Sequence, residues 1–179
     1  MFVAYFGGFK PPHKGHLAVV EEYLSMPDVQ TVYVVYGDKN RLSADGKVIL
    51  NSNHTKMVWE LFISTLDHPE RVKLVKADGN TLVAAASLAW SDEVAGSTIT
   101  AGYGAKEPVY GKKFIAIVQS LAKEKGQPLA EPVMVPTSSN EPSVSSTLIR
   151  RALSTNDTTY LKDVVPTGVR CEEYLNILK

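Results

Sequence analysis

His13 and His16 stand three residues apart in the stretch FGGFKPPHKGH, residues 6–16, with Gly15 between them. Two imidazoles at the start of a helix can donate hydrogen bonds to phosphate oxygens and stabilise negative charge that grows during phosphoryl or nucleotidyl transfer. The positive end of the helix dipole favours the same anion, and Gly15 leaves room for it. Gly7 and Gly8 lack the side chains that would keep a ligand or a sharp turn away from the backbone. Pro11 and Pro12 stiffen the loop. The competing readings are that the histidines cap or pack the helix start, or that they ligate a metal. The metal reading lacks partners, because no Cys or Glu lies nearby at a suitable spacing.

A second candidate lies near the other end, in VSSTLIR, residues 144–150. Hydroxyls and amides of Ser145, Ser146 and Thr147 at a helix start can receive phosphate oxygens, and Arg150, one turn on, can clamp the same anion. The competing reading is an N-cap followed by a surface arginine. Arg151 points about a third of a turn away and ranks below Arg150. No Ser-His-Asp or Cys-His arrangement is visible, so positioning and charge stabilisation are expected rather than a covalent nucleophile.

The elements that must hold these residues alternate along the chain. Residues 1–6, 31–36, 72–77, 97–102 and 132–136 read as five strands, and the second, TVYVVY, is apolar enough to be covered on both faces. Helices are expected over residues 16–24, 53–66, 81–90, 114–125 and 145–153, with two short ones in the tail. On the second of these helices, Met57, Val58, Leu61, Phe62 and Thr65 can share one face. The alternation implies an α/β fold of Rossmann-like, doubly wound type, with about five parallel strands, helices on both faces and a C-terminal helical tail. Ligands bind beyond the carboxyl ends of such strands, where neighbouring crossovers go to opposite faces.

The length of 179 residues suits a single domain over residues 1–179. Acidic and basic residues balance at 19 each, which argues against nucleic acid or an anionic membrane surface as partner and makes any anion site local. The one cysteine, Cys171, excludes an intrachain disulfide and a Cys-based zinc cluster. With neither a signal-peptide pattern nor a membrane-length apolar window, the expected location is cytoplasmic. The sequence is compatible with a homo-oligomer.

The first stretch resembles the G-x-F-x-P-x-H-x-G-H signature of the HxGH nucleotidyltransferase superfamily, which includes cytidylyltransferases, phosphopantetheine adenylyltransferases and nicotinamide or nicotinate mononucleotide adenylyltransferases. The second resembles the superfamily's I-S-S-T-x-x-R segment, with Val144 in place of the isoleucine. The resemblance implies transfer of AMP or CMP from ATP or CTP to a phosphorylated acceptor, with release of pyrophosphate. His13 and His16 would contact the triphosphate, and Ser146, Thr147 and Arg150 would hold the departing pyrophosphate. Gly7, Gly8, Phe9, Gly15, Gly102 and Ser145 would line the nucleotide site. Mg²⁺ would travel with the triphosphate, with no protein metal ligands.

Nicotinamide or nicotinate mononucleotide is the favoured acceptor, followed by phosphopantetheine and then a glycerol-phosphate-type cytidylyl acceptor. A catalytically silent nucleotide-binding module is the alternative from another class. Lys39 and Arg41, after the second strand, and Lys106, after the fourth, are candidate substrate contacts that read equally well as surface loop. Lys10 and Lys14 read as solvated surface. Lys56 stands near where relatives carry an arginine, and Trp90 could stack on an aromatic ring or serve as core.

Overall fold

The computed structural model describes residues 1–103, 109–125 and 144–179. Four parallel strands form the main sheet: β1 (Phe2–Gly7), β2 (Thr31–Tyr36), β5 (Val72–Lys76) and β6 (Ile99–Gly102), in the order β5-β2-β1-β6. A fifth strand, expected at residues 132–136, lies outside the described residues. The chain runs outward from β1 to β2 to β5 and then returns past β1 to β6, so the direction of winding reverses between β1 and β6.

The register explains the apolar runs. On β1, Val3 and Tyr5 face one way, into a core shared with α1 (Lys14–Leu24), α2 (Ser52–Ile63), α5 (Ser146–Thr155) and α7 (Cys171–Leu178). Phe2 and Ala4 face the other way, against α3 (Thr81–Ser87) and α4 (Val109–Lys125). All six residues of β2 are buried because both faces are covered. A short helix, α6 (Thr158–Asp163), leads into α7 and completes the helical tail. No helix among the described residues is long and apolar enough to cross a membrane.

Three local expectations need correction. The polar stretch at residues 37–52 holds a small antiparallel ladder, β3 (Arg41–Leu42) with β4 (Ile49–Leu50). Its periodicity is hidden because Leu42 and Ile49 are both exposed and only Leu50 is buried. The ladder is tied to α5 through Asp45, whose amide donates to Ser154 Oγ at 3.1 Å. On α2 the buried face is Thr55, Val58, Trp59 and Phe62, while Met57 is exposed. The helix begins at Ser52, capped by the Asn51 side chain, which accepts from the Asn53 and His54 amides.

Gly102 serves packing. A Cβ there would lie 3.0 Å from Tyr23 Cε2, 3.1 Å from Tyr5 Cβ and 3.1 Å from Val3 Cγ1. Gly102→Ala is therefore expected to destabilise the fold by about 1–3 kcal/mol through overpacking, measured as a drop in the denaturant midpoint. An unchanged midpoint would show that this packing can relax without cost.

Candidate active site

Residues 8–13 connect β1 to α1 without a strand partner, so their carbonyls must find acceptor roles elsewhere. Four consecutive ones, from Phe9 to Pro12, accept from side chains distant in the chain. Phe9 O accepts from Thr55 Oγ1 at 3.2 Å and Lys10 O from Arg150 Nη1 at 2.7 Å. Pro11 O accepts from Ser146 Oγ at 2.9 Å and Pro12 O from Tyr174 OH at 2.9 Å. The donors come from α2, α5 and α7. The two segments singled out in the sequence thus meet, joined directly by Ser146 and Arg150.

Within the loop, Phe9 has a positive φ of 47°, and its ring lies back across Gly7, where a Cβ would sit 3.0 Å from Phe9 Cζ. Gly7 is therefore a glycine because of Phe9. Around Gly8 the space is open, so Gly8 is the residue that leaves the backbone accessible. Phe9 is buried and meets His16 edge-on, with ring centres 4.9 Å apart, while Trp59 packs on Phe9 from behind at 5.4 Å.

His13 is the N-cap residue of α1, and its ring stacks on His16 with centres 3.6 Å apart and planes 22° apart. The His13 amide donates to His16 Nδ1 at 3.2 Å, which assigns the His16 proton to Nε2 when the ring is neutral. His13 Nδ1 is buried with no hydrogen-bond partner among the described residues. Burial pushes His13 down to about 4, and it drives His16 well below the usual imidazole value, assisted by the neighbouring His13. Both rings are neutral near pH 7 and act through polar N–H groups.

The histidines open onto a cleft of about 960 Å³ at the carboxyl ends of β1 and β6, where the winding reverses. Gly7, Gly8, Phe9, Gly15 and Ser145 line it, and so do Tyr103, Tyr110 and Lys113, which the sequence did not single out. Lys113 is the one Lys or Arg among the described lining residues, and no Asp or Glu joins it. No group of three His, Cys, Asp or Glu among the described residues could hold a metal ion.

Other candidates lie beside the cleft. Arg150 braces the loop and also donates to Thr147 Oγ1 at 3.0 Å, and Ser145 Oγ accepts from the Leu148 amide at 3.2 Å as the cap of α5. Gly102, Ser146, Thr147 and Arg150 are not in the lining. Lys39 and Arg41 are exposed and are not in the lining. Burial lowers both Lys10 and Arg150, and the Arg41 charge adds to this in each, opposed at Lys10 by Asp38. Lys106 lies outside the described residues. Lys56 pairs with Glu60 on the exposed side of α2, and Trp90 lies beneath Lys125 away from the cleft.

Lys10 is not solvated surface. It is 4% exposed, its Nζ donates to Gly37 O at 2.8 Å, and burial lowers it to about 8. Lys14 is held by Asp163 at 3.3 Å. Nothing in the residue types announced these contacts or those of Thr55 and Tyr174, since each depends on a segment distant in the chain.

The burial of His13 makes stability depend on pH. Unfolding returns His13 to water, where it titrates near 6.5, so the unfolded chain binds the extra proton first as pH falls. The stabilising contribution is complete above pH 6.5 and declines steadily down to about 4. Denaturant midpoints should fall from about pH 7 to about pH 5, with a flatter slope in His13→Asn. Parallel slopes for the two chains would contradict the assigned burial.

Comparison with known proteins agrees with this architecture. The profile of the family described as cytidylyltransferase-like matches residues 4–152. No curated protein sequence matches the chain. Among solved structures, a bifunctional NMN adenylyltransferase/ADP ribose pyrophosphatase from Francisella tularensis, complexed with AMP and a manganese ion, superposes with a TM-score of 0.60 at 13% identity. That alignment covers 99% of this chain and 51% of the other, so this chain spans about half of the Francisella protein's length. Nicotinic acid mononucleotide adenylyltransferase from Plasmodium falciparum, complexed with APC, superposes with a TM-score of 0.54 at 11% identity, covering 98% of this chain and 94% of that one. At these identities the neighbours establish the fold, while the profile spans both signature segments, from the histidine loop through Arg150: the chain belongs to the cytidylyltransferase-like family, within the HxGH nucleotidyltransferase superfamily.

Proposed function

We propose that this protein transfers a nucleoside monophosphate, preferably AMP from ATP, to the phosphate of nicotinate or nicotinamide mononucleotide and releases pyrophosphate. The observation that carries the reading is the stacked, neutral histidine pair at a cleft whose described lining residues include no Asp or Glu, with the late Ser/Thr/Arg segment bonded to the same loop. A described lining that holds Lys113 and no Asp or Glu favours a polyanionic ligand. Arg41 repels both Lys10 and Arg150, with Asp38 offsetting part of the charge at Lys10, and a bound phosphate would add to that offset. The mononucleotide acceptor is favoured because both reported fold neighbours are adenylyltransferases of that class.

In this mechanism an oxygen of the acceptor phosphate attacks the α-phosphorus in line. A new P–O bond forms there as the bond to the β-phosphate oxygen breaks, and the electron pair leaves with pyrophosphate. His16 donates through Nε2–H to a phosphate oxygen, and His13 supports the same charge. Both act as polar donors whose strength grows in a site shielded from water. Ser145 and the start of α5 border the leaving group, with Arg150 behind them. A divalent cation would arrive on the triphosphate and neutralise part of its charge.

Pyrophosphate release measured with ATP and CTP against nicotinate mononucleotide, nicotinamide mononucleotide, phosphopantetheine and glycerol phosphate tests this reading. Turnover should be greatest with ATP and one of the mononucleotides. His16→Ala is expected to lower kcat by about 100-fold or more while the chain stays folded, and Arg150→Ala should weaken use of the triphosphate. Triphosphate binding without turnover on any acceptor would instead favour a silent nucleotide-binding module.

A further inference from the structure

Both chain neighbours of His13 are held by the C-terminal segment. Pro12 O accepts from Tyr174 OH at 2.9 Å, and the Lys14 amide donates to Val164 O at 2.8 Å. Tyr174 lies beyond residues 4–152, the span matched by the family profile. Its side chain is fully buried, and its ring stacks on Phe62 with centres 5.9 Å apart and planes 13° apart. Phe62 packs on Trp59, Trp59 on Phe9, and Phe9 on His16. The helix α7 therefore reaches the histidine pair by a direct hydrogen bond on one side and a continuous aromatic line on the other.

We propose that Tyr174 is a positioning residue: its hydroxyl, through the Pro12 carbonyl, fixes the backbone from which His13 stacks on His16 and meets the phosphates. The inference rests on the nucleotidyl-transfer reading above. A phenol is suited to this task. It is rigid, it reaches the carbonyl from a packed helix, and burial keeps it protonated by raising it well above its ordinary value. Losing the bond leaves the Pro12 carbonyl buried without its donor and frees the loop beside the reacting groups. A shift of that kind acts on the transition state more than on the bound substrate.

The test compares Tyr174→Phe, which removes only the hydroxyl, with Leu178→Val, which trims a fully buried apolar side chain of the same helix that cannot hydrogen-bond the loop. In the pyrophosphate-release assay, with both chains shown to be folded, Tyr174→Phe should lose about tenfold in kcat with KM for ATP changed by less than about twofold. The ring-proton NMR signals of His13 should move in Tyr174→Phe, and Leu178→Val should retain kcat. Wild-type kcat in Tyr174→Phe, an equal loss in Leu178→Val, or a Tyr174→Phe chain that fails to fold would overturn the proposal, because each assigns the hydroxyl to general stability. If the wild-type protein turns over no acceptor, the proposed function has failed instead. The His13 signals then decide the positioning role alone: displaced signals support it, and unmoved ones overturn it.

Discussion

The loop at residues 9–12 leaves a sheet strand, enters a helix and has no ladder partner, so four buried or half-buried carbonyls in succession require donors from elsewhere. A buried carbonyl left without one costs about 1–3 kcal/mol, and four together would exceed what a short loop can bear against the stability of a small domain. Thr55, Arg150, Ser146 and Tyr174 meet that requirement from three helices. The loop can hold its shape only when α2, α5 and α7 are all docked. The site and the fold are consequently one cooperative object.

The same docking sets the electrostatics. With Phe9, Trp59 and Tyr5 around a ring that also lines the cleft, desolvation disfavours the charged form of His16, and His13 stacked on it shares that condition. Among the described residues the positive charge lies on Lys113 in the lining and, outside the lining, on Lys10, Arg41 and Arg150, with Asp38 offsetting part of it at Lys10. Neutral donors at the centre with cations at the rim suit a reaction in which charge moves from one phosphate oxygen to another, since fixed N–H groups need no reorganisation as it moves. A doubly protonated pair at the centre would bind the polyphosphate more tightly in its ground state, and that attraction would not by itself lower the barrier.

Much of the architecture was legible in the sequence for a physical reason. A strand covered on both faces must be apolar at every position, so TVYVVY announced itself, and alternation with amphipathic helices permitted little except a parallel sheet. The two motif segments were legible because glycine, proline, serine and histidine each constrain the backbone or bring polar chemistry at fixed offsets. What stayed hidden had no such periodicity. Leu42 and Ile49 form a ladder too short to show alternation, and the partners of Thr55 and Tyr174 are 46 and 162 residues away in the chain. Lys10 looked like surface because a lysine between Phe9 and Pro11 carries no sign of which carbonyls will surround it.

By itself the sequence determined the order of elements, the crossing to both faces of the sheet, and the residue types brought to the carboxyl end of β1. Those follow from local preference and from the need to bury apolar faces. Only the tertiary structure decided that Gly7 makes room for Phe9, that Arg150 grips the loop carbonyl, that His13 and His16 stack as neutral rings, and that the last helix supports them. Hydrogen bonds and burial between distant segments exist only after the chain has closed on itself, and residue type fixes what a group can do without fixing what it will meet.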